Sequence, residues 1–183
     1  MQRLEPLTTA RTIISEYTSH DLELLIALEH DPDVMRFLNG VVADIEQNKE
    51  KHNGFLKYYH EQPGFGVWKT SLHDGTHIGH AVLNHPVLSS TGQRAGPVQV
   101  GYTLHKQFWN LGFATELATV MLEHAFNTLQ LESVIALTSE GNQASSRVME
   151  KIGMTLQGTT DDYFHQELIL YKIERQEWLD FTT

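Results

Sequence analysis

Gln107, Phe108, Trp109, Asn110, Leu111 and Gly112 join two stretches whose apolar residues follow different periods. Before this turn, Val98, Val100, Tyr102 and Leu104 are apolar at every second position, the pattern of a strand with one packed face. After it, Ala114, Leu117, Ala118, Met121, Leu122, Ala125, Phe126 and Leu129 line one stripe of an α-helix, which reads as core packing. A strand that enters a helix through a short loop leaves the first helical N–H groups unpaired, at the positive end of the helix dipole. Such a turn suits an anion, a phosphate above all. Taken alone it reads as an ordinary strand-to-helix connection.

A second pattern lies downstream. Asn142, Ser145, Lys151 and Gly153 occupy the fixed positions of N-x-x-S-x-x-x-x-x-K-x-G-F, and only the last position differs, as Met154. Gln107 and Gly112 match the signature Q/R-x-x-G-x-G/A, with Asn110 in place of the middle glycine. Asparagine is among the few non-glycine residues that tolerate a left-handed backbone, so the turn can still form. With both patterns in this order and a strand between them, the chain resembles the GNAT N-acetyltransferase superfamily, and within it the RimJ/RimL-like branch.

That resemblance implies an α/β (α+β) fold, a mixed and mostly antiparallel central sheet flanked by helices around a β-α-β cofactor-binding core. It implies acetyl transfer from acetyl-CoA, bound as a co-substrate, to a primary amine by direct attack in a ternary complex. Amides near Tyr102, Thr103 and Leu104 would hold the pantetheine arm and polarise the thioester carbonyl, with the sheet opened between this strand and residues 133–138. Gln107, Trp109, Asn110, Leu111, Gly112, Phe113, Ala114 and Thr115 would surround the phosphates, and Asn142 would bond the pantetheine chain. Lys106, Arg147 and Lys151 could balance the cofactor's charge.

Acetyl transfer from a thioester to an amine needs a neutral amine, a place for the carbonyl's developing charge and a proton for the thiolate. Relatives place a tyrosine seven residues after the asparagine, where this chain has Met149, which has no proton to donate. By resemblance the hydrogen bond to the thiolate passes to Ser145, against the simpler reading of a capping or packing serine. Relatives also carry a glutamate where Gln99 stands, and an amide accepts no proton at neutral pH. Glu140, His80, His85, Tyr163 and His165 remain as bases, directly or through water, unless the enzyme binds the neutral fraction of its amine without one.

No metal is required. Of eleven histidines, His73, His77, His80 and His85 invite a metal reading, but His73 and His77 flank an expected hairpin turn and His77 and His80 face opposite sides of a strand. They read as surface or edge histidines. A Ser-His-Asp hydrolase is disfavoured because the chain lacks a G-x-S-x-G elbow.

The totals agree with this reading. A chain of 183 residues with 40% apolar content suits one globular domain, 1–183, with a substantial core. No window has the length of a bilayer span, and the start lacks the apolar core of a signal peptide, so a soluble, cytoplasmic protein without membrane partners is expected. The absence of cysteine excludes disulfides, thiolate metal sites and a cysteine nucleophile. A formal charge of −10 argues against nucleic acid as a partner and welcomes a cationic amine, either a protein N-terminus or a small molecule. A homodimer is compatible with the resemblance. The competing reading is a non-catalytic acetyl-CoA-binding regulatory module, motivated by Gln99 and Met149.

The positioning elements follow in order. Residues 11–17 read as a strand, and a helix capped by Ser19 or Asp21 carries Leu22, Leu25, Ile26 and Leu28 up to Pro32. A short helical turn over 33–38 ends at Asn39 and Gly40, and 43–60 reads as a helix with an uncertain middle at His52, Asn53 and Gly54. The resemblance makes this pair a lid over the acceptor. Residues 65–70 and 76–83 form an antiparallel hairpin, with Asp74 and Gly75 supplying its positive φ angles. A surface loop over 85–97 precedes the central strand, and 98–138 forms a β-α-β crossover with parallel strands. Residues 155–160 and 167–174 supply the last strands, and Trp178 lies in a short tail.

Overall fold

The computed structural model describes residues 5–38 and 40–182; Asn39, read above as part of a helix end, lies outside them. The strands are β1 (Leu7–Thr8), β2 (Thr12–Glu16), β3 (Gly66–Leu72), β4 (His77–Asn84), β5 (Gln99–Leu104), β6 (Ser133–Thr138), β7 (Thr155–Thr160) and β8 (Leu168–Glu174). The helices are α1 (Leu22–Glu29), α2 (Pro32–Met35), α3 (Ile45–Glu61), α4 (Phe113–Glu123), α5 (Gln143–Lys151) and α6 (Arg175–Thr182). The sheet order is β1-β2-β3-β4-β5-β6-β8-β7. β1 with β2, β2 with β3, β6 with β8 and β7 with β8 run antiparallel, while β5 and β6 run parallel through Gln99 opposite Ile135. The expected mixed, mostly antiparallel sheet is therefore present, including the parallel pair of the crossover. Among the described residues no helix is long and apolar enough to cross a membrane.

The chain forms two compact units, 1–82 with 102–116, and 83–101 with 117–183. In the first, Ile14, Tyr17, Leu25, Leu28, Trp68 and Ile78 are buried, each such side chain contributing about 1.5–3 kcal/mol by leaving water. Asp21 stands at the N-cap of α1, as expected, but its side chain makes no capping bond; its Oδ2 accepts from the Thr18 N–H and hydroxyl at 2.6 Å and pairs with Lys69 at 2.7 Å. Pro32 breaks the chain as expected and then opens α2 from its first position, with the Asp31 carboxylate accepting from the Asp33 and Val34 N–H groups.

Helix α3 runs unbroken through Gly54. Its buried stripe is Asn48, His52, Phe55 and Tyr59, so two of its four inward residues are polar and apolar periodicity alone missed its continuity. At the β3–β4 hairpin only Gly75 takes the positive φ, at 89°; Asp74 instead accepts from the Thr76 N–H at 2.9 Å.

In the second unit, Leu83, Leu117, Met121, Leu122, Phe126 and Ile152 are fully buried, which confirms the predicted helical stripe as core. α4 continues into a π-helical turn over His124–Thr128. The predicted tail is helix α6, whose Trp178 is buried with its ring 6.1 Å from that of Phe126. The predicted loop 85–97 carries two bridges, Val87 with Arg94 and Leu88 with Tyr163.

Candidate active site

The predicted phosphate turn belongs to the first unit. His105 donates its N–H to the Ile78 carbonyl at 3.0 Å, so β5 stays paired with β4 to its end. A 3-10 turn over Lys106–Phe108 follows. Trp109 then anchors the loop: its indole N–H donates to the Leu104 carbonyl at 2.8 Å, and its ring packs against the buried Leu28, Val34 and Met35.

Asn110 has φ 59° and Gly112 φ 83°, so the asparagine does adopt the left-handed conformation that its glycine-like position demands. The Gly112 carbonyl accepts the Glu116 N–H at 3.1 Å, the first bond of α4. The N–H groups of Phe113, Ala114 and Thr115 consequently have no carbonyl one turn back within the helix. Gln107, Asn110, Leu111 and Gly112 are exposed, whereas Phe113 is buried edge-on against Phe108, with ring centroids 6.0 Å apart.

Tyr102 and Thr103 are half-buried and Leu104 is buried. Gly79 on β4 presses against this stretch, where an added Cβ would lie 2.0 Å from the Thr103 carbonyl oxygen.

Asn142, Ser145 and Arg147 belong to the second unit. Asn142 is the N-cap of α5; its side-chain oxygen accepts from the Ser145 N–H at 3.3 Å and its carbonyl from the Ser146 N–H at 3.2 Å. The capping role raised for Ser145 thus falls to Asn142. Ser145 is half-buried one turn into the helix, and Arg147 and Lys151 are exposed. Met149 is buried in the core, where no tyrosine hydroxyl is available.

Lys106 is engaged by the Asp33 carboxylate at 2.6 Å, a hydrogen bond that holds the acid below the usual carboxylate range. The base candidates are scattered. Gln99 donates from Nε2 to the Asn84 Oδ1 at 3.0 Å, leaving its own carbonyl oxygen as an acceptor. Tyr163 packs with Ile135 and Leu168, and burial with the nearby Asp162 charge raises its pKa, so it stays protonated. His85 Nδ1 lies 2.8 Å from the Gly96 carbonyl oxygen. Glu140 and His165 are exposed.

The histidines on β4 correct the reading of surface or edge residues. His80 is 7% exposed, and burial, with Lys51, His77 and His105 nearby, pushes its pKa down to about 3. His77 is pushed to about 4 by burial and by His105, whose Nε2 lies 3.2 Å from His77 Nδ1. A strand's alternation does not tell which side another element will cover. Among the described residues, no group of three His, Asp or Glu side chains is placed to hold a metal.

Two residues at the turn had no sequence signal. Arg11, just before β2, reaches Leu111 and Glu116, and Thr9 also bonds Glu116. Burial opposes ionisation of Glu116, but these hydrogen bonds and the Arg11 charge hold its carboxyl below the usual range.

Residues 11–155 match the family model described as an acetyltransferase (GNAT) domain. The chain is 29% identical over 184 residues to the FsC-acetyl coenzyme A-N(2)-transacetylase of Aspergillus fumigatus, covering 94% of this chain and 77% of that one. An acetyltransferase from Agrobacterium tumefaciens superposes with a TM-score of 0.79 at 23% identity, covering 95% of this chain and 96% of that one. RimL, a ribosomal alpha-N-protein acetyltransferase in complex with coenzyme A, superposes at 0.75 with 15% identity, covering 93% and 98%.

Proposed function

Because the chain belongs to the GNAT acetyltransferase family and is an acetyl-CoA-dependent acyltransferase, we propose that it acetylates a primary amine by direct attack in a ternary complex. The observation that carries this reading is the pair of left-handed residues, Asn110 and Gly112, directly before α4, whose first N–H groups have no carbonyl one turn back within the helix. This donor set fits a diphosphate: several fixed N–H groups, the helix dipole and an exposed approach. In this reading the carrier's diphosphate sits on Asn110, Leu111, Gly112, Phe113, Ala114 and Thr115, flanked by Gln107 and Trp109, and its arm runs along Tyr102, Thr103 and Leu104.

The neutral amine attacks the thioester carbon. A C–N bond forms as the C–S bond breaks, the amine nitrogen sheds a proton and the thiolate is stabilised by the Ser145 hydroxyl. Asn142 and Arg147 hold the carrier beside Ser145. Gln99 cannot take the amine's proton, so the enzyme selects the neutral amine, and the proton that its nitrogen sheds passes through water to the departing thiolate. The domain spans 1–183 and acts in the cytoplasm, and no resident metal takes part.

The acceptor has two readings. The Asn142, Ser145, Lys151 and Gly153 signature supports the RimJ/RimL-like branch and a protein N-terminus. The similarity to a transacetylase whose name specifies an N(2) position supports a small amine. Release of CoA thiol across a panel of N-terminal peptides, polyamines, amino acids and aminoglycosides tests both. Release with any member supports catalysis, and the productive class names the acceptor. Binding of acetyl-CoA without release across the panel would favour the regulatory module.

A further inference from the structure

Arg11 and Glu116 lie 105 residues apart in sequence and meet beside the turn. Three donors of the guanidinium are committed: Nη1 to the Leu111 carbonyl at 2.9 Å, Nε to Glu116 Oε2 at 2.7 Å and Nη2 to the same oxygen at 2.5 Å. The guanidinium carbon stands 4.1 Å from the centroid of the Phe113 ring. Nη2 also lies 3.5 Å from where a Cβ on Gly112 would be. One side chain therefore ties together the loop before α4, its first residue and the carboxylate at the end of its first turn. Thr9 adds a hydroxyl bond to the other carboxylate oxygen.

The charge arrangement needs an explanation. A carboxylate in the first turn is welcomed by the helix dipole, but it repels any anion that uses the same N–H groups. Glu116 is only 19% exposed, so water screens it incompletely, and Arg11 is the cation set against it. An arginine that places two donors on one carboxylate oxygen and a third on a carbonyl, with its guanidinium over a ring, holds its plane in a way that a lysine cannot reproduce.

Resting on the reading of this turn as the diphosphate site, we propose that Arg11 is a positioning residue for the carrier. It holds residues 111–116 in their anion-receiving shape and cancels the charge of Glu116. It acts through the turn, so its effect falls on carrier affinity and leaves the chemical step alone.

The test measures calorimetric dissociation constants for CoA and for pantetheine, which lacks the diphosphate, with melting curves on each variant. Arg11→Ala should weaken CoA about tenfold or more and pantetheine less than about twofold, raise the acetyl-CoA KM alike and leave kcat at saturation within about threefold. Arg11→Lys, which keeps charge without the fork, should fall between. Adding Glu116→Gln to Arg11→Ala should recover at least half of the loss in log Kd, a rescue that loss of packing would not produce.

Equal weakening of CoA and pantetheine, or CoA affinity unchanged in Arg11→Ala, would overturn the role of Arg11 and leave the proposed function standing. A wild-type protein that binds CoA no better than pantetheine would overturn the diphosphate reading and this inference together. If Arg11→Ala does not fold, Arg11→Gln with Glu116→Gln removes both charges and keeps hydrogen-bonding side chains. CoA affinity within about threefold of wild type then supports charge compensation, and a fall to the pantetheine value refutes it.

Discussion

A methyl group on Gly79 would stand 2.0 Å from the carbonyl oxygen of Thr103 and 2.8 Å from the Leu104 Cα. Both obstacles are backbone, and Gly79 holds φ at 145°, where side chains are rarely found. Gly79→Ala should therefore cost about 2–4 kcal/mol of stability, read from the urea midpoint. The same change should raise the acetyl-CoA KM, because relief of the clash moves the Thr103 backbone. An unchanged midpoint would mean that the strands part without cost.

Ser145 is the hydroxyl proposed to stabilise the thiolate, since Met149, buried in the core, offers none. Ser145→Ala should lower kcat by about 10- to 100-fold while the acetyl-CoA KM changes little, as expected for a hydrogen bond realised mainly in the transition state. The Asn142 cap uses the backbone N–H of Ser145, so the cap itself survives in the variant. Steady-state kinetics with unchanged turnover would end the proposed role.

Gln99 sits in a neutral amide pair with Asn84 and cannot ionise. The wild-type kcat/KM should rise with pH as the acceptor amine deprotonates, with no acid limb from this position. Gln99→Glu should add an ionisation on the acid side of the pH–rate profile and raise the rate at neutral pH several-fold. A profile identical to wild type would show that position 99 lies outside the proton path.

His77 and His80 bear on acid stability. Each ring would protonate near 6.5 in the unfolded chain but only near about 4 and about 3 in the folded one. Between those values the unfolded state binds more protons, so stability is fully present above about pH 6.5 and falls as the pH drops toward 4. His105, Lys51, Lys69 and Asp21 are the charged or titratable groups acting on these rings. His77→Asn should flatten the acid limb by about 1–2 kcal/mol at pH 5, measured as urea midpoints from pH 4 to 8. An unaltered limb would place the sensitivity elsewhere.

Elements with a single strong period were legible from the sequence, as the β5 alternation and the α4 stripe show, and the predicted bounds of β6, a nearly continuous apolar run, and of β7 match the observed Ser133–Thr138 and Thr155–Thr160. Elements held by tertiary contacts were not. β1 is two residues long and exists through pairing with Ile13 and Ile14. α6 has little apolar periodicity and is secured by Trp178 against Phe126. α3 was blurred because Asn48 and His52 occupy its buried face, Asn48 donating to the buried Glu29 carboxylate at 2.9 Å.

The candidate site divides in the same way. Left-handed tolerance at Asn110 and permissiveness at Gly112 are local backbone properties, set within a few residues, so the order of residue types alone determined them. The Arg11 clamp on Glu116, the burial of His80 and the pressure of Gly79 on Thr103 join segments distant in the chain. Only the tertiary structure decided those, because solvent exclusion and charge pairing depend on which surfaces meet, and no local period carries that information.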